Sequence, residues 1–395
     1  MKRVVTCSAL ACVLCVPLAA AFLTTPPQFS PLTLAVGGNP RGVTVGDFNA
    51  DGHLDFAVAN HSSPNQLSIY FSDGRAGGLR IAAQFSLPVG PFGITNADLN
   101  HDGRRDIIVT SADSNSLEII TWDADTASFS VRGPYAAETD PREVVAGDFD
   151  RDGHVDLAMA LFGCHCVGVW RGFGNFAFSG IRIPTATRPH GLATADFNRD
   201  GILDLVVTHE SAARATVLFG DGTTNFPSST SIATGGGPRN VTVGDLNEDG
   251  WTDFATVNTS GRSITLGLGV RTAPGSFTST VVPRTVNIPS TLRSPRDIEA
   301  VDANGDGKLD LAVVDFVTAN LWVFLGDGQG NFGPFEGVNS STDGFFAGEG
   351  ARTIATGDIN EDGRVDLLVG NQSDGTVTLF RNQTPFRGRF CCGPP

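Results

Sequence analysis

Residues 46–60 read GDFNADGHLDFAVAN, and a nine-residue segment within this stretch decides the fold. A glycine, Gly52, stands at position 6 of the segment. Positions 1, 3, 5 and 9 hold Asp47, Asn49, Asp51 and Asp55. Carboxylate and amide oxygens at this spacing, with a glycine that permits a sharp turn, are the ligand set that Ca²⁺ requires. The segment therefore predicts a calcium loop.

The nine-residue segment recurs along the chain, beginning at Asp47, Asp98, Asp148, Asp196, Asp245, Asp302 and Asp358. Successive copies start 51, 50, 48, 49, 57 and 56 residues apart. A period near 50 residues predicts a repeat architecture. The candidate Ca²⁺ ligands are Asp47, Asn49, Asp51, Asp55, Asp98, Asn100, Asp102, Asp106, Asp148, Asp150, Asp152, Asp156, Asp196, Asn198, Asp200, Asp204, Asp245, Asn247, Asp249, Asp253, Asp302, Asn304, Asp306, Asp310, Asp358, Asn360, Asp362 and Asp366.

The residues after the segment exclude an EF-hand, which needs an acidic ligand at position 12 and a helix on each side. Position 12 holds Val58, Val109, Met159, Val207, Thr256, Val313 and Val369. Mg²⁺ is disfavoured because it dehydrates reluctantly and usually keeps several waters. A single copy could be a metal-free turn rich in Asp and Asn, but seven complete copies favour Ca²⁺. The backbone carbonyl at position 7 is expected to supply a further ligand oxygen.

Each copy lies among short apolar runs typical of strands. In the first copy GVTVG precedes the segment, DFAVAN ends it and QLSIYF follows about ten residues later. Several copies add a turn such as GDGTTNF (220–226) and then a fourth, more polar run. Four strands of about five residues account for a 50-residue unit, which is the size of a propeller blade. The sequence therefore predicts an all-β fold, a seven-bladed β-propeller of four-stranded blades.

The two ends of the repeat array predict how the ring closes. Residues 29–40, FSPLTLAVGGNP, resemble a fourth strand and its lead-in, whereas the last copy has three strands that end near Arg381. We expect the N-terminal strand to complete the last blade, because such a clasp removes free sheet edges.

The chain termini differ in composition from the repeats. Residues 1–21 contain Lys2 and Arg3, an apolar run and an Ala-rich end, which predicts a secretory signal peptide cleaved after Ala21. A membrane anchor or a lipoprotein signal is the alternative. Residues 22–386 are then the propeller and residues 387–395 a C-terminal tail. No other long apolar stretch occurs, so we expect a secreted or periplasmic protein without a membrane span in the mature chain.

Many of the acidic residues of the chain lie in the nine-residue segments. The formal net charge is −15, and the segments hold 22 aspartates. Up to seven Ca²⁺ ions would offset most of this charge, so the acidity is weak evidence for a cationic partner. We expect these ions to be structural, each tying the first strand of a blade to the second.

These segments and their spacing resemble the FG-GAP/VCBS-type repeats of exported bacterial proteins, which are related to the propeller of the integrin α-subunit. The resemblance covers roughly residues 29–386. It implies that each blade begins with its innermost strand and that the calcium loops share the lower face. The chain lacks the Phe-Gly…Gly-Ala-Pro segments of integrins, so integrin-like cell adhesion is not implied. The family includes lectin-like, adhesive and enzyme-appended members.

A second set of equivalent positions lies six residues before each segment and holds Arg41, Phe92, Arg142, His190, Arg239, Arg296 and Arg352. Equivalent positions of a closed ring form a ring themselves. The five Arg and His190 are therefore candidate ligand-binding residues for carboxylates, phosphates or sulfated sugars, on the face opposite the calcium loops. The alternative is structural: each Arg spans the gap between blades and bonds a neighbour's carbonyl or Asp.

Other polar groups carry weaker signals. Cys164, His165 and Cys166 suggest a disulfide more than a zinc site, but with Cys391 and Cys392 three pairings of the cysteines are open. His209 and Glu210 are an adjacent acid and base at a predicted strand end.

Two functions are compatible with this sequence. The first is a non-catalytic binding or adhesion module for a glycan or protein ligand. The second is a carbohydrate-active enzyme, a polysaccharide lyase or hydrolase of propeller architecture. The first is favoured because every predicted calcium site is a standard repeat loop and tyrosine, a common lyase base, occurs at only Tyr70 and Tyr135. We expect a monomer that does not bind nucleic acid.

Overall fold

The computed structural model describes residues 27–385 except 63, 76–77, 270, 274–275, 278–283, 287 and 335–343. The predicted signal peptide (1–21), the predicted tail (387–395), Cys391 and Cys392 lie outside the described residues. None of the described residues forms a helix, so this part of the chain contains no helix long and apolar enough to cross a membrane.

The described strands form seven antiparallel blades, as the repeat predicts. Blade 1 contains Pro40–Gly46, Asp55–Asn60, Gln66–Phe71 and Arg80–Ser86. Blade 2 contains Pro91–Ala97, Asp106–Ser111, Ser116–Asp123 and Ser128–Ala136. Blade 3 contains Pro141–Gly147, Asp156–Leu161, Cys166–Gly172 and Phe178–Pro184. Blade 4 contains Pro189–Ala195, Asp204–His209, Arg214–Phe219 and Ser228–Ala233.

The last three blades follow the same strand order. Blade 5 contains Pro238–Gly244, Asp253–Asn258, Ser263–Gly267 and Arg284–Val286. Blade 6 contains Pro295–Val301, Asp310–Asp315, Asn320–Gly326, Phe332–Pro334 and Phe345–Phe346. Blade 7 contains Ala351–Gly357, Asp366–Asn371, Thr376–Asn382 and, from the other end of the chain, Phe29–Ala35.

The N-terminal strand closes the ring, which confirms the predicted clasp. Phe29–Ala35 pairs antiparallel with Thr376–Asn382. Beyond the strand, the backbone N–H of Gln383 donates to the carbonyl of Gln28 at 2.7 Å. Because Phe29–Ala35 covers Thr376–Asn382, the last strand of the chain is not left as an unpaired edge that could recruit another chain.

The two longer repeat intervals correspond to additions at the outer edges of two blades. In blade 5 a short hairpin of Arg271–Ala273 and Ser276–Phe277 stands between the third and fourth strands. In blade 6 two short strands, Phe332–Pro334 and Phe345–Phe346, both pair with Asn320–Gly326. The insertions therefore leave the inner strands and their loops in register with the other blades.

The first strands of the blades surround the axis of the ring. Each contacts the first strand of the next blade, and the first strand of blade 7 contacts that of blade 1. Each first strand begins at the Pro or Ala immediately before one of the seven ring residues, which are Arg41, Phe92, Arg142, His190, Arg239, Arg296 and Arg352. It ends at the residue immediately before the nine-residue segment of its blade. The two candidate sites therefore lie at opposite ends of the same strands.

The hydrophobic core is divided into seven clusters, one between each pair of neighbouring blades. Position 2 of every nine-residue segment enters one of these clusters and is at most 2% exposed; the residues are Phe48, Leu99, Phe149, Phe197, Leu246, Ala303 and Ile359. Each loop is thus anchored to the core by one apolar side chain. Phe149, for example, packs edge-to-face on Phe226 with ring centroids 5.8 Å apart, beside Leu205 and Val207 of blade 4.

We expect Phe149→Ala to lower the free energy of unfolding by about 3–5 kcal/mol, because it leaves a cavity between blades 3 and 4. Urea denaturation monitored by fluorescence measures this change. Phe173→Ala is the matched control, since the Phe173 side chain is 44% exposed and its removal should cost less than about 0.5 kcal/mol. Equal losses in the two variants would contradict the anchoring role of position 2.

Candidate calcium loops and channel mouth

The seven segments fold into loops of one geometry. In each loop the Asp at position 1 accepts a hydrogen bond through Oδ2 from the backbone N–H of the glycine at position 6, at 2.8–3.0 Å. That glycine has a φ of 80–91° in all seven loops, a left-handed conformation that glycine adopts without steric cost. The side-chain oxygen at position 3 accepts from the N–H at position 5 at 2.9–3.2 Å. The polar side chains therefore fold inward over the turn.

The Asp at position 9 is buried and holds two parts of its blade together. These side chains, at most 2% exposed, are Asp55, Asp106, Asp156, Asp204, Asp253, Asp310 and Asp366. In every loop Oδ2 accepts from the N–H at position 2, at 2.9–3.2 Å. In six blades Oδ1 accepts from a backbone N–H at the end of the third strand, at 2.6–3.0 Å. In these six blades the carboxylate thus links the loop to the second and third strands.

Burial raises the pKa of these seven carboxyl groups, to about 6 for Asp156 and Asp366 and to about 7 for the other five. The neighbouring carboxylates at positions 1 and 5 also raise the pKa in most loops. A bound cation would counteract both effects, because a nearby positive charge favours the ionised form.

The donor set of the loops fits Ca²⁺. In the third loop Asp148, Asp150 and Asp156 each place a carboxylate oxygen within 4.8 Å of the others, so positions 1, 3 and 9 converge. Asn replaces Asp at position 3 of the other six loops, and its amide oxygen is an equivalent neutral ligand. Oxygen ligands alone, without His or Cys, are typical of a Ca²⁺ site.

The third loop carries one more carboxylate than its neighbours, and an arginine accompanies it. The guanidinium of Arg171 lies 2.6 Å from Asp150 and 2.8 Å from Asp152. Arg171 stands on the third strand of blade 3, where blades 1, 4, 5 and 6 have an apolar residue and blade 2 has Thr121. The arginine therefore offsets the extra negative charge at position 3.

Neighbouring loops contact one another around the ring through position 4. The His101 Nε2 and His154 Nδ1 atoms are 2.8 Å apart, and the guanidinium of Arg199 lies 4.5 Å from the ring of Trp251. Arg151 donates to a carbonyl of the fourth loop. Glu361 of the last loop pairs with His53 of the first. The loops thus form a connected belt over several blade junctions, including the junction where the ring closes.

At the other end of the first strands, the predicted ring surrounds one mouth of the central channel. A cavity of about 260 Å³ is lined there by Arg41, Phe92, His190, Arg239, Arg296 and Arg352. Arg142 stands beside them, its guanidinium carbon 5.2 Å from the centre of the Phe92 ring. The structure thus brings together all seven residues that the repeat placed in one ring.

Phe92 lies among the cations of this mouth. The guanidinium carbons of Arg41 and Arg352 lie 5.2 and 5.5 Å from the centre of its ring. His190 approaches the same ring edge-on, with centroids 5.8 Å apart. Phe92 is 6% exposed. The one aromatic member of the ring therefore serves as a cation–π partner for several of the others.

The arginines of the mouth differ in their partners. Arg142 pairs with Asp140 at 3.1 Å. Arg239 pairs with Glu210 of the neighbouring blade at 2.7 Å. Within the part of the chain that the structure describes, Arg41, Arg296 and Arg352 have no hydrogen-bonded carboxylate. Of the five arginines, only Arg239 thus fits the structural alternative among the described residues, because Asp140 precedes Arg142 in the same blade. The other three line the cavity without a hydrogen-bonded carboxylate.

Backbone contacts between blades hold the mouth residues in place. The hydroxyl of Thr110 in blade 2 donates to the carbonyl of Arg142 in blade 3 at 2.6 Å. A Cβ at Gly93 would lie 2.2 Å from the same carbonyl, so only glycine allows the strands to approach this closely. Thr208 and Gly191 repeat this arrangement around the carbonyl of Arg239.

Three carboxyl groups line the channel beyond the arginines: Glu143, Asp297 and Glu299. Burial, and then the charge of Asp297, raises the pKa of Glu143 and of Glu299 to about 8. Burial also raises the pKa of Asp297. Asp297 bonds across blades, accepting from the Asn240 side chain and from the backbone N–H of Ile354.

The remaining polar groups singled out by the sequence have structural partners. Cys164 and Cys166 form a disulfide bond with each other. His209 is fully buried, its Nδ1 bonded to the Ala186 carbonyl and its Nε2 to the Thr216 hydroxyl, each at 3.1 Å. Burial lowers its pKa to about 4. Because Glu210 bonds to Arg239 instead, His209 and Glu210 do not form the acid–base pair considered above.

Comparison with protein families agrees with the loop geometry. The model of the FG-GAP-like repeat matches residues 47–109, 98–159, 167–207, 208–256 and 302–369. The chain belongs to the FG-GAP-like repeat family. The matched regions together cover more than half of the chain and contain all seven nine-residue segments. No curated protein sequence matches this chain.

Solved structures show that this FG-GAP-like chain shares its fold with proteins of low sequence similarity. BBS1N in complex with ARL6DN is 12% identical, with a TM-score of 0.60, 93% of this chain and all of that chain covered. A putative 6-phosphogluconolactonase (BF1038) from Bacteroides fragilis NCTC 9343 is 14% identical, with a TM-score of 0.60 and coverage of 90% and 94%. A functionally unknown protein from Desulfotomaculum acetoxidans DSM 771 is 16% identical, with a TM-score of 0.55 and coverage of 79% and 88%.

Sequence reasoning missed two features of the FG-GAP-like loops and one of the channel. Position 4 adopts a left-handed conformation in all seven loops, with a φ of 55–61° in the six that lack glycine there. No common residue type at position 4 signals this. The two bonds of the position 9 Asp were also missed, although its invariance across the seven copies was visible. Glu143, Asp297 and Glu299 escaped notice because the other blades have Gly, Asn, Thr, Val or Ala at these positions.

We expect chelation of calcium with EDTA to lower the melting temperature by more than about 10 °C, because each saturated site adds ~2.7 kcal/mol at a hundredfold excess over Kd. Differential scanning calorimetry measures this shift, and elemental analysis counts the bound ions. Added Ca²⁺ should restore the original melting temperature, whereas equimolar Mg²⁺ should not. An unchanged melting temperature in EDTA, with no calcium in the purified protein, would contradict the assignment.

We expect the double variant Glu143→Gln, Glu299→Gln to gain stability over the wild type at pH 8.5 and little at pH 4.5. In the folded protein the pKa of Glu143 and of Glu299 is about 8, which is above the value in the unfolded chain. The native state therefore binds more protons than the unfolded state between pH 4.5 and pH 8.5. The stability of the wild type therefore falls as the pH rises through this window. Melting temperatures at several pH values measure the effect, and Glu349→Gln is the exposed control. A difference independent of pH would contradict this account.

Proposed function

We propose that this chain is an exported, calcium-stabilised β-propeller that acts as a non-catalytic binding or adhesion module for a glycan or protein ligand. The observation that carries the proposal is the difference between the residues at the two ends of the central channel. One end repeats the same loop seven times. The other end gathers arginines, a histidine and a phenylalanine around one cavity. The side chains of the mouth differ from blade to blade, and such side chains are the ones that can make contacts specific to one ligand.

The calcium loops support a structural role for the metal. Their candidate ligands already bond to the backbone of the same loop, and the position 9 Asp bonds to strands on either side. An ion bound there would fix the order of the first three strands in each blade. It would do so without touching the opposite face, where we place the ligand.

Export and partner class rest on separate observations. The basic and apolar composition of residues 1–21 supports a secretory signal. The net charge of −15 disfavours nucleic acid as a partner, because its phosphates would be repelled. BBS1N, a chain of similar fold, is found in complex with ARL6DN, and a protein ligand for this chain is compatible with that observation. We expect the mature protein to act as a monomer.

A glycan array, extended with a panel of extracellular proteins and read with and without EDTA, tests this proposal. The calcium-loaded protein should bind a defined subset of ligands. Binding should be lost in EDTA, because the blades lose their metal ties, and regained when Ca²⁺ is restored.

Two results would overturn the proposal. Failure of the calcium-loaded protein to bind any glycan or protein would exclude a binding module. Turnover of a uronic polysaccharide, followed at 235 nm or by reducing ends, would instead support the carbohydrate-active enzyme.

A further inference from the structure

The channel mouth contains buried hydrogen-bond donors that lack an acceptor. They are Arg41 Nε, Arg239 Nε, Arg296 Nε and His190 Nδ1, and none has a partner among the described residues. All four residues line the same cavity. Buried polar groups in folded proteins are nearly always bonded, so four unpaired donors around one cavity require an explanation.

The bonding of His190 shows that its free nitrogen is a donor. An Arg239 N–H lies 3.0 Å from His190 Nε2. A guanidinium has no acceptor site, so Nε2 must accept the hydrogen bond. The neutral imidazole then carries its hydrogen on Nδ1. Burial and the neighbouring arginines lower the pKa of His190 well below its ordinary value, which favours this neutral form. His190 is 5% exposed, and its Nδ1–H is left without an acceptor.

The positive charge of the mouth is only partly compensated by nearby carboxylates. Three of its five arginines, Arg41, Arg296 and Arg352, have no hydrogen-bonded carboxylate within the described ranges. Burial and the neighbouring guanidiniums lower the pKa of Arg41 to about 10 and that of Arg352 well below its usual range. Clustered cations in a partly desolvated site repel one another, and an anion placed between them reverses that cost.

The carboxyl groups of the channel do not supply the missing acceptor. No hydrogen bond or ion pair joins Glu143, Asp297 or Glu299 to an arginine of the mouth in the residues that the structure describes. Asp297 bonds to Asn240 and to the backbone of Ile354. The acceptor must therefore come from outside the propeller.

The size of the cavity limits the ligand. Its volume of about 260 Å³ is below the range of roughly 300–1,000 Å³ that is usual for pockets of drug-sized ligands. One small acidic group fits such a space, whereas an extended chain does not. Planar guanidinium groups bind carboxylate, sulfate and phosphate oxygens with paired hydrogen bonds.

We propose that the channel mouth binds a single anionic group, a carboxylate, sulfate or phosphate, through the guanidiniums of Arg41, Arg296 and Arg352 and the Nδ1–H of His190. Arg142 and Arg239 add positive charge while each stays paired with its own carboxylate. This inference rests on the proposed function and specifies the chemistry of its ligand: the group that enters the mouth is acidic.

Calcium-loaded protein titrated with sodium sulfate, sodium phosphate or sodium acetate, each against sodium chloride of equal ionic strength, tests the anion site. The wild type should show a saturable rise in melting temperature with at least one of the three, and that anion identifies the preferred group. In the double variant Arg41→Gln, Arg352→Gln the half-saturating concentration should rise at least tenfold. The matched control Arg262→Gln, Arg293→Gln, at exposed positions, should respond as the wild type does.

Arg41→Lys, Arg352→Lys is the second variant, since it keeps the charge but removes the guanidinium fork. It should also bind the anion more weakly than the wild type, even if the Gln variant folds poorly. An unsaturable rise of equal size in all variants would overturn the proposal, because it would report general salting-out by the anion. Absence of any response in the wild type would overturn it as well.

The outcomes separate this inference from the proposed function. A ligand found on the array that is neutral, and that the Arg41→Gln, Arg352→Gln variant still binds, would overturn the anion site and leave the binding module standing. Saturable anion binding that depends on Arg41 and Arg352, without any ligand on the array, would support the anion site and contradict the binding module.

Discussion

The buried aspartate at position 9 of each segment is the interaction on which the rest of the structure depends. Its two oxygens accept backbone N–H groups from position 2 of the loop and, in six blades, from the end of the third strand. This fixes the start of the second strand, brings position 2 into the core between two blades and turns the polar side chains of the loop toward one another. A buried carboxylate with these partners is costly to replace, because its loss leaves two backbone donors unpaired.

The two ends of the first strands have diverged in opposite ways. At the loop end every blade needs the same turn, so positions 1, 5, 6 and 9 are identical in all seven copies and the other positions vary. At the mouth the strands converge on a common axis, so one side chain from each blade shares a single space. Phe92 and His190 change the character of that space without altering any blade. A closed ring therefore allows a site to evolve while the scaffold stays constant.

The sequence predicted most of the scaffold. The spacing of Asp, Asn and Gly indicated the loops, and their period indicated seven blades. The extra strand before the first copy and the missing fourth strand of the last copy indicated the closure between Phe29–Ala35 and Thr376–Asn382. It could not predict which mouth residues are paired. Arg239 finds Glu210 across a blade junction, whereas Arg41 and Arg352 find an aromatic ring, and these contacts depend on distances that no local pattern encodes.

The sequence by itself determined the repeated unit, because hydrogen bonds within nine residues and alternation along short strands are local properties. Only the tertiary structure decided what the units enclose. The ring brings together Glu143, Asp297 and Glu299, and it leaves His190 Nδ1 and the Nε atoms of Arg41 and Arg296 without acceptors. The physical reason is that burial, charge repulsion and unpaired donors at the channel arise from residues far apart in the chain. They meet only when the seventh blade closes against the first.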